Sequence, residues 1–252
     1  MSKRSLFKSG LFALTAGLIA SSASAQLSTT TLTATTQGWY DSYGDNSQPT
    51  TNFFVGSFNE VSYHNFFVFD RSTNPLLQFV EIRKATLELY LPQDLLDIGL
   101  TYLSSDLNDT GALFSLYKFA GDKTALKDGT GGLAAYVDLG ADAGGSFGTR
   151  AVSSADNVNG ATIAIDLTSY FLSYINGVNG EFVLGGALSN PNDNPTPDDF
   201  EYMFGFTENS PLAGLRLEFV AVPEPSTYGL IGGGLLGLVV WRRRSVKAAR
   251  KS

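Results

Sequence analysis

Between residues 26 and 222 the apolar positions come in short bursts, each cut off within a few residues by Gly, Ser, Thr, Asn or Asp. Such punctuation marks turns between strands rather than breaks between helices. In the segment 85–91, Ala85, Leu87, Leu89 and Leu91 alternate with Thr86, Glu88 and Tyr90. That period of two predicts a half-buried strand, and Pro92 ends it. The segment 215–221 repeats the pattern, with Leu215, Leu217, Phe219 and Ala221 inward and Arg216 and Glu218 outward. Further strands are predicted over 53–57, 66–70, 113–118, 162–167, 181–187 and 202–207. Phe53, Phe54, Phe66, Phe67 and Phe69 fall inside such runs and are expected in the core. One internal segment reads as a helix of one or two turns on a sheet edge: Asp166 or Thr168 caps it, Tyr170, Phe171 and Tyr174 recur at helical spacing, and Asn176-Gly177 stops it. The expected fold is all-β, an antiparallel β-sandwich of jelly-roll type with one short helix.

The two ends follow a different pattern. Lys3, Arg4 and Lys8 precede an apolar run over 11–20, followed by small residues in which Ala23 and Ala25 form an A-x-A cleavage site. Residues 1–25 therefore read as a secretory signal peptide, with Gln26 the first residue after signal-peptidase cleavage. At the other end Pro223-Glu224-Pro225 leads into the apolar run 228–241, which Arg242, Arg243 and Arg244 close. An arginine cluster resists translocation, so it is expected on the cytoplasmic side of a single transmembrane helix. Fourteen residues at about 1.5 Å each reach only about 21 Å of a hydrocarbon core about 30 Å thick. Five glycines in the run weaken the helix further. The segment suits a transient stay in the membrane.

A Pro-Glu-Pro motif, a short Gly-rich apolar helix and an arginine cluster, in that order, resemble the PEP-CTERM sorting signal of Gram-negative bacteria. The resemblance implies recognition by a membrane exosortase, cleavage near Pro223-Glu224-Pro225, and release toward a surface rich in exopolysaccharide. The chain is thus divided into a signal peptide (1–25), a β-sandwich body (26–221), a sorting signal (222–246) and a basic cytoplasmic tail (247–252). Within the body, Asn52-Phe53-Phe54-Val55-Gly56, Phe67-Val68-Phe69-Asp70, Ala85-Thr86-Leu87-Glu88-Leu89-Tyr90, Ile165-Asp166-Leu167-Thr168 and the strand at Leu215 resemble the DNRLRE-type β-sandwich of bacterial surface proteins. His64 and Asn65 stand where that family carries an arginine. Some of its members bind polysaccharide, and the resemblance extends that expectation to this body.

Charge narrows the partners. Residues 26–222 hold 8 of the 17 Lys and Arg and 23 of the 24 Asp and Glu, a net charge of −15 (8 minus 23). Phosphate backbones require the opposite sign, so a nucleic-acid partner is excluded. With no cysteine there is no disulfide, thiolate metal site or cysteine nucleophile.

Candidate chemistry is sparse. His64 is the single histidine, no G-x-S-x-G elbow accompanies it, and it reads as structural. Glu60, Glu88 and Glu201 read as solvent-facing strand residues, and nothing selects a catalytic carboxylate pair among 23 acidic side chains. Three acidic loops are candidates for calcium: Asp41 with Asp45 and Asn46, Asp106 with Asn108 and Asp109, and Asp193 with Asp198 and Asp199. No other cofactor is expected. Trp39, Tyr40 and Tyr43 are the candidate ligand contacts, because aromatic faces stack on sugar rings. The expectation is a noncatalytic, structural or adhesive protein of the cell surface or extracellular matrix that binds exopolysaccharide. The alternative is a polysaccharide-modifying enzyme using a carboxylate pair.

Overall fold

Phe66, Phe67, Val68 and Phe69 follow one another without an intervening polar residue, a pattern that suits a strand covered on both faces. In the computed structural model, which describes residues 26–90, 102–105, 111–141, 144–158, 162–189, 200–204 and 210–221, all four are fully buried. The signal peptide and the apolar segment 228–241 lie outside the described residues. Among the described residues no helix is long and apolar enough to cross a membrane.

Gln26–Val222 forms one compact unit. Its strands are β1 (Gln26–Thr33), β2 (Thr36–Asp41), β3 (Val55–Phe58), β4 (Val61–Asp70), β5 (Ile82–Tyr90), β6 (Tyr102–Ser104), β7 (Ala112–Lys118), β8 (Gly148–Val152), β9 (Thr162–Asp166), β10 (Glu181–Ser189), β11 (Glu201–Met203) and β12 (Gly214–Ala221). The helices are α1 (Lys123–Lys127), α2 (Gly132–Leu139) and α3 (Ser169–Asn176), with short 3-10 turns at Arg71–Thr73, Pro75–Leu77 and Ser154–Asp156.

A four-stranded sheet runs β1-β12-β5-β9, and an eight-stranded sheet runs β6-β11-β3-β4-β10-β7-β8 with β2 also paired to β4. All the pairings are antiparallel. β2 and β10 both register with residues 65–68 of β4, so they flank it on opposite edges. Leu87, Leu215 and Leu217 from the smaller sheet meet Phe67, Phe69, Phe114, Phe182 and Leu184 from the larger one in the main core. On the far side of the larger sheet, Tyr40, Phe66, Val68 and Val183 pack under Leu126 of α1 and Ala135 and Leu139 of α2. The body is therefore a two-sheet sandwich with a third, helical layer.

The chain steps between sheets at residues 34 and 35. Thr33 still pairs with Gly214 of β12, and Thr36 already pairs with Val68 of β4. The intervening Ala34 N–H donates to the Ala213 carbonyl and the Thr35 N–H to the Val68 carbonyl, both at 2.8 Å, so the corner leaves neither donor unpaired. At the opposite seam Arg150 of β8 donates to the Ala164 carbonyl of β9 at 3.1 Å. The Thr168 N–H reaches the Phe147 carbonyl at 2.7 Å, leaving the sheets nearly closed.

Several expectations need correction. Among the described residues there are three α-helices where the body was expected to have one: α1 and α2 are too short to stand alone, and burial against β4 and β10 stabilises them where periodicity gave no sign. α3 forms where expected, with Thr168 as its N-cap and Gly177 after its last turn. Its Phe171 and Ile175 enter the main core. Of the strand expected over 202–207, Tyr202 and Met203 lie in Glu201–Met203 and Phe204 turns away with φ 63°, while 205–207 lie outside the described residues. Thr86, expected outward, is buried because its hydroxyl is hydrogen-bonded to the Asp166 carboxylate at 2.7 Å. Phe53, Phe54, Phe66, Phe67 and Phe69 are all in the interior as expected.

A buried arginine secures α3. Arg71, only 2% exposed, lies just after β4 and donates to four backbone carbonyls. Nε reaches Leu77 at 2.9 Å, Nη1 reaches Ile175 at 2.7 Å and Val178 at 3.1 Å, and Nη2 reaches Val80 at 2.8 Å and also Leu77. The cation thus joins the turn after β4 to the C-terminal end of α3, where the helix dipole favours positive charge. Burial lowers its pKa from the ordinary arginine value.

His64 occupies the helical side. Its ring stacks on Tyr136 of α2 with centroids 4.1 Å apart, and Nδ1 is 2.7 Å from the Tyr136 carbonyl. A carbonyl only accepts, so Nδ1 carries the proton. Glycines let α2 descend onto the sheet: a Cβ at Gly140 would lie 2.0 Å from the His64 ring, and one at Gly185 would lie 2.5 Å from the Leu139 carbonyl oxygen.

Replacing Arg71 by Met removes the guanidinium donors from four carbonyls, of which Ile175 keeps the Val178 N–H, and is expected to cost about 3 kcal/mol, at roughly 1 kcal/mol per lost partner. Urea denaturation measures it; a loss below about 1 kcal/mol contradicts the clamp. The second prediction concerns pH. Burial, opposed by the Tyr136 hydrogen bond, lowers the His64 pKa below its ordinary 6.5, so the unfolded chain takes up the proton first. Stability from this group is complete above about pH 6.5 and falls as pH drops toward the lower folded value. The melting temperature of His64→Asn should lose that part of the pH dependence, and an unchanged slope refutes the assignment.

Candidate functional site

β2 sends its neighbouring aromatic residues to opposite faces, because side chains alternate along a strand. Tyr40 goes to the helical side and is fully buried. Its hydroxyl is 3.0 Å from the Leu126 carbonyl and accepts from the Gly131 N–H at 3.2 Å. Burial, the largest effect, raises its pKa. Tyr40 therefore pins the third layer and is withdrawn from the ligand contacts expected of it. Tyr43 stands 74% exposed at the tip of the following turn.

Trp39 goes to the other face and is half-buried. Ser47 holds its backbone from both sides: the Trp39 N–H donates to the Ser47 hydroxyl at 2.9 Å, and the Ser47 N–H donates to the Trp39 carbonyl at 3.1 Å. The indole meets Tyr63 of β4 edge-on, with centroids 5.1 Å apart and planes at 86°. Its Nε1 is buried and finds no hydrogen-bond partner.

From Trp39 a line of rings continues across the sheet. Tyr63 lies 4.8 Å from Phe54, and Phe54 lies 4.8 Å from Tyr202 of β11. Tyr202 in turn lies 5.9 Å from Phe58 and 5.7 Å from Phe200. Phe54 is wholly buried and supports the others, all of which are partly exposed. These spacings lie within the range of favourable aromatic pairs, so the strip is held by its own contacts. Burial, then Asp41 and Asp45, raises the Tyr63 pKa, while burial alone raises that of Tyr202. Both phenols stay protonated at neutral pH.

Of the three expected contacts, only Trp39 belongs to this strip. Tyr63, Phe58, Phe200 and Tyr202 were missed, since strand pairing is what brings residues near 200 beside residues near 60. The alternation of Phe200 and Tyr202 was the one available sign.

The acidic candidates resolve differently. Asp41 Oδ1 accepts from the Tyr43 and Asp45 N–H groups, both at 2.9 Å, and organises the turn. Asp106, Asn108, Asp109, Asp193, Asp198 and Asp199 lie outside the described residues. Among the described residues no group of three or more His, Asp or Glu could hold a metal. Glu201, expected to face solvent, is 4% exposed and accepts from the Tyr102 hydroxyl at 2.7 Å. Glu88 pairs with Arg216 at 3.0 Å, and Glu60 is exposed in the tight turn between β3 and β4.

Gln26, the expected first residue of the processed chain, opens β1, while Ala23 and Ala25 precede the described part. Pro223, Glu224, Pro225 and the arginines at 242–244 follow it. No curated protein matches this chain. Residues 221–244 match the family model of the PEP-CTERM protein-sorting motif. The chain thus carries at its C-terminal region the signal that directs a protein to export, membrane processing and the exosortase.

Proposed function

We propose that this protein is a noncatalytic component of the Gram-negative cell surface or extracellular matrix. Its sorting signal delivers a β body that holds neutral exopolysaccharide along the strip from Trp39 to Phe200. The observation that carries the reading is the strip itself, partly exposed rings in a continuous line on a rigid sheet. Sugar rings present apolar C–H faces that stack on such rings. A body of net charge −15 disfavours anionic polymers and leaves neutral ones as ligands.

The architecture supports delivery. Gln26 of β1 pairs with Ala221 of β12, so the body's first and last strands end side by side. Under this reading signal peptidase and exosortase cut next to the same end of one sheet. The membrane helix is then a transient tether, and the body folds without contribution from it because both cores come from residues of the body.

Trp39 is the single tryptophan between residues 26 and 222, so fluorescence of the processed body reports on the strip directly. Titration with neutral polysaccharides should shift or quench it saturably. Trp39→Ala and Tyr202→Ala should each weaken binding about tenfold, the loss of roughly 1.4 kcal/mol per ring. Tyr40→Phe should leave binding intact while lowering the melting temperature. Unaltered fluorescence and no retention across a panel of neutral polymers refutes the polysaccharide assignment.

A further inference from the structure

We propose that the outer edge of β1 is a self-association edge, on which a second copy of this chain lays its own β1 antiparallel and joins two four-stranded sheets into one of eight. β1 ends the sheet order, and among the described residues its one strand partner is β12. Its sequence, QLSTTTLT, holds no charge, proline or glycine. Edge strands are ordinarily protected from pairing by charges, proline, bulges or short length, and eight uncharged, Thr-rich residues lack each of these. The other edges are better guarded. β2 is covered by the segment 45–47, which bridges and hydrogen-bonds its outer edge, β6 has three residues, and β8 and β9 close on each other through Arg150.

The occupant follows from the side chains. On the outer face of the smaller sheet Arg216 pairs with Glu88 at 3.0 Å and Lys84 with Asp166 at 3.7 Å. These charges knit β12, β5 and β9 together, and none comes from β1. A copy of β1 brings threonine opposite threonine, a favourable cross-strand pairing, with no like charges opposed. Opposed residues in an antiparallel pair share a face, so a two-fold axis must pass through a residue rather than between two. Axes at Thr29 and Thr30 give the longest overlaps. The first sets Leu27 against Thr31 and the second sets it against Thr33, and either covers a leucine now 66% exposed.

Analytical ultracentrifugation of residues 26–222, whose cores are made of their own residues, tests this. Dimers should form with rising concentration and tighten with added salt, which screens repulsion between two bodies of net charge −15. Thr29→Lys is compatible with the single body because residue 29 faces Glu218 of β12, yet it should weaken the dimer at least tenfold with no loss in melting temperature. The chain has no cysteine, so Thr29→Cys and Thr30→Cys report the register, the second with loss of the Asn74 Nδ2 hydrogen bond to the Thr30 hydroxyl. One of the two should give a disulfide dimer on mild oxidation, well ahead of a Tyr43→Cys control. A body that stays monomeric at all concentrations, a dimer undiminished by Thr29→Lys, or crosslinking no faster than the control overturns the proposal.

Discussion

Burial of β4 and β10 on both faces is the constraint on which the rest of the body depends. Phe67, Phe69, Phe182 and Leu184 fill the space between the sheets, while Phe66, Val68 and Val183 face the helices. A fully buried side chain of this size contributes about 1.5–3 kcal/mol by leaving water, so neither face can be left open without a heavy loss. The outer face explains why α1 and α2 exist: five- and eight-residue helices are sustained by the apolar surface they cover. It explains Gly185 as well, since any side chain there would strike the backbone of Leu139. It also assigns Tyr40, whose ring lies in the outer core and whose hydroxyl holds the chain around α1.

Rigidity at the center has a consequence at the sheet's end. On the face of β4 opposite His64, Tyr63 joins Trp39 and Phe54 in the aromatic strip. The same strand that anchors both cores therefore positions the proposed ligand surface, so little conformational freedom remains to be lost on binding. The pairing of β1 with β12 ties the two ends of the body into the smaller sheet. Under the proposed processing, cleavage after β12 leaves the last strand in register, because β12 is held between β1 and β5.

The sequence revealed those parts of the fold in which apolar contrast coincides with strand period. β5 and β12 were legible because leucines alternate with polar residues, and α3 because cap, periodicity and glycine agree. β2 was hidden by a polar residue performing a core role. Gln37 is 1% exposed, donates to the Thr51 and Pro211 carbonyls at 2.9 and 3.0 Å, and accepts from the Ala213 N–H at 2.9 Å. Its polarity concealed its burial. Arg71 was equally silent, since its four carbonyl partners come from Leu77, Val80, Ile175 and Val178, segments about a hundred residues apart. The sorting signal was legible in full because it is linear, whereas the aromatic strip exists only once β2, β4, β3 and β11 have paired.

The central claim is that the body leaves the membrane by losing both ends. Intact mass spectrometry of the protein recovered from the native cell surface and medium tests it most directly. The account predicts a chain beginning at Gln26 and ending within Pro223-Glu224-Pro225. A mass that extends to Ser252 contradicts it and makes this a membrane-tethered protein whose sorting signal is never used.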